Sequence, residues 1–381
     1  MPKACADTTR PITAPATLES WHSPGMRIGV LTSGGDAPGM NACLRSIVKA
    51  CAGRGHDIVG VERGYAGLLD GAVRALSSAD VDGISRRGGT LLGSARCKEM
   101  MTEAGQTRAA AQLQAHKLDG LVVVGGNGSL TGAHVLAARS DVRCRLVGVP
   151  ASIDNDLGCT SLAIGVDTAL NTIVEACDRI SDTAAAHRRV FIVEVMGRHC
   201  GYLAMRSGIA AEADCILYAE KQMPEDELIN RLRTLIRTSF GERKKSRLLV
   251  VKAEGVNVKT ARIVERLTAH LDEDAPGVDV RETILGHVVR GGAPSVTDRV
   301  IAQRLGLGAV MAIEDGLSDI MVGWEPTAHG TSFGERSPDP SVRRVPLSVV
   351  LEETARILDG ASPVVQGRLR MLAQVEGLLA L

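Results

Sequence analysis

The feature that most constrains this chain is a rhythm. From Met26 onward, short β-branched apolar runs stop at glycine or a small polar residue and hand over to longer segments with helical spacing. The runs are "RIGVLTS", "DIVGV", "GLVVVGG", "RLVGVP", "RVFIVEVM", "CILYA" and "RLLVVKAEG". Between or after them, helical patterns follow Gly39, occupy residues 108–117, follow Gly128, and continue over 169–180, from Cys200, over 225–236 and over 260–271. A continuous apolar run is buried on both faces, and the intervening helices supply the cover. The chain therefore predicts an α/β fold with mainly parallel sheets, arranged as two doubly wound three-layer (αβα) lobes.

Composition narrows what such a fold can serve. With 381 residues, 45% of them hydrophobic, the chain can build more than one core. Lys plus Arg and Asp plus Glu both total 44, so no global field draws it to nucleic acid or an acidic membrane. Aromatic residues make up 2%, too few for a base-stacking surface. No apolar stretch reaches membrane-spanning length, so a soluble, cytoplasmic protein is expected. Nine cysteines, an odd number without a CxxC pair, read as free thiols rather than a disulfide framework. Residues 1–25, rich in Pro, Thr and Ala without periodicity, read as a mobile extension and lack the apolar core of a targeting segment.

In open α/β sheets ligands bind beyond the carboxyl ends of the strands, which directs attention to four strand-to-helix junctions. In "TSGGDAPGMNA", Gly34 and Gly35 allow backbone N–H groups close to an anion, ahead of a helix N-terminus. The string is neither a P-loop nor a GxGxxG fingerprint, and a tight turn needing small residues explains it equally well. The same two readings hold for "GGNGS". "PASIDND" alternates Ser152, Asp154 and Asp156, so an extended loop projects them to one side. Such a carboxylate pair can divide proton acceptance and cation binding, or it can be an Asx-rich turn capping the next helix. Arg189 and Arg198 flank a buried-looking strand, and Arg281, His287 and Arg290 surround another; arginine forks suit phosphate.

Taken in order, "IGVLTSGGDAPGMNA", "RGGTLLGSAR", "PASIDND", "VEVMGRHCGY", "AEG" and "ILGHVVRGG" give the chain a close resemblance to the bacterial-type 6-phosphofructokinase family, over about residues 27–323. The resemblance implies a phosphofructokinase-like fold, a homotetramer, and Mg²⁺-assisted transfer of the ATP γ-phosphoryl group to the 1-hydroxyl of fructose 6-phosphate. It implies Asp154 as catalytic base, Ser152 as a hydroxyl near the transferred group, and Arg198 as the cation on the phosphoryl in flight. Asp156 and Asn127 match the metal-associated positions. Gly34, Gly35, Tyr65, Arg96, Cys97, Asn127, Gly128, Ser129 and Gly132 fall in the nucleotide motifs. Ser152, Asp154, Asp156, Met196, Gly197, Arg198, Glu254, His287 and Arg290 match the sugar-phosphate set, with Arg189 and Arg281 reaching a neighbouring subunit's site.

The family divides by donor. Pyrophosphate users carry Asp at the position of Gly128 and Lys at that of Ala151, so the residues here favour ATP. Asn127 stands where the family has Asp or Glu, and the lost charge predicts weaker metal coupling. Arg45, Lys49, Asp214, Arg243 and Lys245 match part of an effector site, whereas Ala72 and Ser181 replace two of its arginines. Two alternatives accompany the main reading. One is a kinase of the same family with another donor or another ketose phosphate, such as sedoheptulose 7-phosphate or tagatose 6-phosphate. The other is a non-catalytic, sugar-phosphate-binding regulatory paralogue. The resemblance divides the chain into a nucleotide lobe of 26–162 plus 293–340, a sugar-phosphate lobe of 163–292, and C-terminal helical segments from 341 to 381. "HGTSFGERSPDPS" reads as a loop.

Overall fold

The computed structural model describes residues 25–326 and 339–379. All but the last residue of the extension read into residues 1–25, and most of the loop at 329–341, lie outside the described residues. In chain order the elements are β1 (Arg27–Ser33), α1 (Met40–Gly53), β2 (Asp57–Val61), α2 (Gly64–Leu69), β3 (Val73–Ala75), α3 (Glu103–Ala115), β4 (Gly120–Gly125), α4 (Asn127–Ala137) and β5 (Arg145–Pro150). There follow α5 (Val166–His187), β6 (Arg189–Val195), α6 (Tyr202–Ala210), β7 (Cys215–Leu217), α7 (Glu225–Ile236), β8 (Leu248–Ala253), α8 (Thr260–Thr268), α9 (Leu271–Asp274) and β9 (Asp279–Ile284). The chain returns through α10 (Val296–Glu314), β10 (Ile320–Trp324), β11 (Val342–Pro346), α11 (Leu347–Leu358) and α12 (Pro363–Leu379).

Two sheets result: a seven-stranded one in the order β11-β10-β5-β4-β1-β2-β3 and a four-stranded, all-parallel one in the order β7-β8-β6-β9. Only the two edge strands, β3 and β11, run antiparallel to their neighbours in the larger sheet. The period-2 geometry of β4 sorts its side chains cleanly between two cores. Val122 and Val124 join α1 and α10 on one face, while Leu121 and Val123 meet α2, α3, α4 and α11 on the other. Each such fully buried aliphatic side chain contributes about 1.5–3 kcal/mol relative to exposure. The core under α1 and α10 continues through α5 and α6 onto one face of the smaller sheet, while α7 and α8 cover its other face. Both sheets are thus sandwiched by helices, the three-layer pattern that the apolar runs predict.

Two devices tie these layers together. Gly306 lets α10 approach α1 closely, since a Cβ there would meet the Cys43 carbonyl oxygen at 2.9 Å and the Ser46 side chain at 2.9 Å. Asp298, fully buried near the start of α10, accepts the backbone N–H of Gly165 at 2.8 Å and both the N–H and hydroxyl of Thr168, at 2.8 and 2.6 Å. It thereby caps α5, the long helix linking the sheets, as a carboxylate at a helix N-terminus does.

One expectation is corrected by the strand pairing. The segment from 341 begins not as a helix but as β11, which pairs antiparallel with β10 at the edge of the larger sheet. Its "VRRVP" sequence is short and half polar because only Val342 and Val345 face the core. Helix begins afterwards, at Leu347.

Candidate active site

Strand order explains where the main cleft lies. From β1 the chain passes to β2 on one side, while β4 occupies the other, so the β1/β4 boundary is the topological switch point. A cleft of about 420 Å³ opens there, beyond the ends of β1, β4 and β5.

The loop after β1 supplies one wall. Gly34 has φ +89°, in the region that favours glycine, and its carbonyl accepts the Ser94 hydroxyl at 2.6 Å. The "RGGTLLGSAR" segment is pinned over this loop by Asn41, whose amide donates to the Arg87 and Gly88 carbonyls at 3.1 Å. Asn41 also accepts the Leu91 N–H at 2.7 Å. This anchoring delivers Arg96, Cys97 and Lys98 to the cleft, with Met100 and Met101 beside them.

A second wall is the N-terminus of α4. β4 ends at Gly125, and Asn127 opens the helix directly over the cleft, with Gly128 and Ser129 alongside. The helix start carries partial positive charge and orphan N–H groups, a ready anion site. The Asn127 carboxamide makes no hydrogen bond among the described residues. A Cβ at Gly128 would meet nothing within 4 Å, so the space over this residue is open. Tyr65 braces the helix from below: it is buried and donates its hydroxyl to the Ser129 carbonyl at 2.8 Å. Gly132 packs against that ring rather than lining the cleft, and a Cβ there would approach Tyr65 to 2.8 Å.

The loop after β5 carries the carboxylates. Burial alternates along it, with Ala151, Ile153, Asn155 and Leu157 inside and Ser152, Asp154 and Asp156 partly exposed to the cleft. The Ser152 hydroxyl donates to Asp156 Oδ1 at 2.8 Å. Asp154 Oδ1 is buried and lacks a hydrogen-bond partner. Burial pushes the Asp154 carboxyl up to about 6, the charges of Asp156 and Glu254 add to the rise, and Arg290 opposes it. An acceptor with an orphaned oxygen and a value near neutrality suits proton abstraction.

Arg290 comes from the other sheet, at the end of the turn after β9, and donates to the Asp36 carbonyl at 3.1 Å. It lines the cleft beside Gly35. Met196, Gly197 and Glu254 follow the carboxyl ends of β6 and β8. Below them the buried Lys252 pairs with Glu194 at 3.0 Å, and Thr260 also bonds Glu194. This satisfied buried pair stiffens the strand ends that bear Met196 and Glu254.

The structure does not gather every residue singled out by the sequence. Arg198 is exposed and, with His199, lines a second cleft of about 650 Å³ against Glu220, Gln222 and the segment joining α11 to α12. His287 is exposed on the turn after β9. Arg189 opens β6, at the opposite end from Met196, roughly 20 Å away at about 3.3 Å per strand residue. It pairs with Asp279 at 3.6 Å, and Arg281 pairs with the same carboxylate at 2.7 Å. Neither arginine lines the cleft of its own chain. Of the effector-like residues, Lys49 pairs with Asp82 at 2.9 Å and Lys245 with Asp214 at 2.8 Å. Sequence reasoning missed Lys98, Met100 and Met101 in the cleft; their nearness in sequence to Arg96 was the available signal.

The eight described cysteines are free thiols, and burial pushes Cys43, Cys51, Cys144 and Cys200 up to about 12, which makes them inert. Among the described residues no helix is long and apolar enough to cross a membrane.

Comparison with known proteins is consistent with this geometry. A family described as "Phosphofructokinase" matches residues 27–313. The chain is 46% identical over 298 residues to an ATP-dependent 6-phosphofructokinase of Thermotoga neapolitana, covering 78% of this chain and 89% of that protein. It is 44% identical over 297 residues to ATP-dependent 6-phosphofructokinase 1 of Thermus thermophilus, again covering 78% and 89%. Among solved structures, Pichia pastoris phosphofructokinase in the T-state superposes with a TM-score of 0.78 at 32% identity. That match covers 90% of this chain and 39% of the longer Pichia chain.

Proposed function

This chain belongs to the phosphofructokinase family, and from that membership we propose how its cleft transfers the γ-phosphoryl group of ATP to the 1-hydroxyl of fructose 6-phosphate. The observation that carries the reading is Asp154: a carboxylate with an unpartnered buried oxygen, raised to about 6, beside a helix N-terminus and a glycine loop that suit polyphosphate. The sugar 1-hydroxyl gives its proton to Asp154 as its oxygen bonds to the γ-phosphorus. The bond from that phosphorus to the β-phosphate bridging oxygen breaks, and ADP leaves. Such transfer is governed by positioning and charge stabilisation rather than covalent chemistry.

The residues divide this work by location. The N–H groups of the Gly34–Gly35 turn and of the α4 start hold phosphate oxygens, and Arg96, Lys98 and Arg290 supply positive charge around them. Cys97, Met100 and Met101 offer an apolar wall for the base. The open space over Gly128 admits the α-phosphate, which favours a nucleotide over pyrophosphate. Ser152 orients Asp156 through their hydrogen bond. Arg198 acts on the transferring group by leaving the neighbouring cleft that its side chain lines.

The donor set also fits Mg²⁺ that takes most of its ligands from phosphate and water: one carboxylate, Asp156, and one carboxamide oxygen, Asn127, face the cleft. When bound, the ion would neutralise charge on the β- and γ-phosphates. Asn127 holds it less firmly than a carboxylate would.

Assembly completes the site. Arg189 and Arg281 stand too far from their own cleft to reach its sugar, so they serve the 6-phosphate bound by a neighbouring copy. Exposed Ile284 and Val288, at and just after the end of β9, and exposed Val296, Val300 and Leu307 on α10 suit burial between copies, as a homotetramer in the cytoplasm would provide. Steady-state kinetics with ATP, GTP and pyrophosphate, against fructose 6-phosphate, tagatose 6-phosphate and sedoheptulose 7-phosphate, test this function. The highest kcat/KM is expected for ATP with fructose 6-phosphate; a higher value for any other pair would overturn the assignment.

A further inference from the structure

α12 lies beyond the stretch matched to the family, residues 27–313, yet it touches the loop that bears both carboxylates. The Arg368 guanidinium donates from Nη2 to the Asn155 carbonyl at 3.4 Å. Its Nη1 lies 3.8 Å from Cys200 Sγ, and the group stacks over the Tyr202 ring at 4.5 Å from the centroid. One half-buried arginine therefore joins the loop after β5 to the loop after β6.

Asn155 is the hinge of the first loop. It sits between Asp154 and Asp156, is 1% exposed, and has φ +48°, a left-handed conformation that Asn adopts more readily than other non-glycine residues. Its side chain is bonded at both ends, donating to the Ser161 carbonyl at 3.1 Å and accepting the Ala163 N–H at 3.0 Å. What those bonds leave free is the peptide following Asn155, whose rotation swings Asp156 relative to Asp154. Arg368 holds that carbonyl. α11 secures the next turn, where Thr354 Oγ1 accepts the Gly158 N–H at 2.9 Å, and Ser362 at the entry to α12 donates to Glu353 of α11 at 2.5 Å.

We infer that Arg368 is a positioning residue for phosphoryl transfer: by fixing the Asn155 peptide it sets the directions of Asp154 and Asp156. The inference rests on the reading of Asp154 as catalytic base. Only arginine's planar fork can reach a carbonyl and a sulfur while stacking on a ring; lysine can reach one of these partners at a time.

The test compares Arg368→Met, which keeps the packing over Tyr202 but removes the donors, with Arg368→Lys and Asp154→Asn. For each, kcat, the KM values for ATP and fructose 6-phosphate, and the thermal midpoint are measured on the full chain. Arg368→Met is expected to lose about 10- to 100-fold in kcat, the scale of a small misplacement of reacting groups, with both KM values within about threefold of wild type. Arg368→Lys should recover part of kcat. A kcat within about twofold of wild type in Arg368→Met, beside an inactive Asp154→Asn, overturns the positioning role alone. So does a loss of kcat that tracks the thermal midpoint across the two Arg368 variants. An active Asp154→Asn overturns instead the reading on which the inference rests.

Discussion

The raised carboxyl of Asp154 makes a quantitative demand on the pH profile. If Asp154 must be ionised to accept the sugar proton, kcat/KM follows its ionised fraction in the free protein. With a value of about 6 in place of the ordinary 3.8, that fraction is about 0.9 at pH 7 and about 0.1 at pH 5. Activity should fall about tenfold over this interval, whereas an unshifted aspartate would lose less than about a tenth. The sugar phosphate also titrates near pH 6, so the profile alone does not identify the group. Charge substitutions do, because the environment has a known sign. Glu254 raises Asp154 and Arg290 lowers it, so the midpoint should move down in Glu254→Gln and up in Arg290→Met. The assay is kcat/KM for fructose 6-phosphate from pH 5 to 8 in the three proteins. A midpoint that stays fixed in both variants belongs to the substrate and refutes the reasoning. Stability supplies a second reading of the same shift. A carboxyl raised on folding contributes stability that is present below pH 3.8 and is lost as pH rises through about 6. At pH 7 to 8, Asp154→Asn should therefore stabilise the protein, by about 1–3 kcal/mol once partial solvent screening is allowed for. Chemical denaturation measures that gain.

Three further outcomes follow from the geometry. Asn127→Asp adds a carboxylate at the start of α4, so the Mg²⁺ concentration giving half-maximal rate should drop by about three- to tenfold; an unchanged metal dependence would remove position 127 from the metal's environment. Gly128→Asp fills the open space over the helix N-terminus with a like charge, and KM for ATP should rise at least about tenfold while the thermal midpoint holds. Asp298→Ala removes the acceptor of three hydrogen bonds at the α5 cap and leaves those donors buried, which should cost about 2–4 kcal/mol in denaturant unfolding.

How much of this was legible in the sequence depended on the range of the interaction. Of the larger sheet, β1, β2, β4 and β5 announce themselves as apolar runs, β4 and β5 because they are buried on both faces, whereas β3 and β10 were not read from the sequence. β11 escaped because an antiparallel edge strand with two arginines lacks any such run. Ser152, Asp154 and Asp156 could be read as one set because a local rule, alternation along an extended loop, places them together. The height of the Asp154 carboxyl could not, since it depends first on burial by the folded chain and then on charges that include Arg290 and Glu254, about a hundred residues or more away in sequence. The resting place of Arg198 was hidden for a similar reason: its cleft is closed by the segment between α11 and α12. Arg368 carried no motif, and its importance emerges only where α12 crosses the backbone of Asn155.

The most direct test of the account is a rate comparison of wild-type protein and Asp154→Asn, at saturating ATP, fructose 6-phosphate and Mg²⁺, by direct detection of fructose 1,6-bisphosphate. Loss of a positioned general base predicts a fall of about 10² to 10⁴ in kcat with fructose 6-phosphate binding retained. A variant that still forms the bisphosphate within about tenfold of the wild-type rate would contradict the account at its centre.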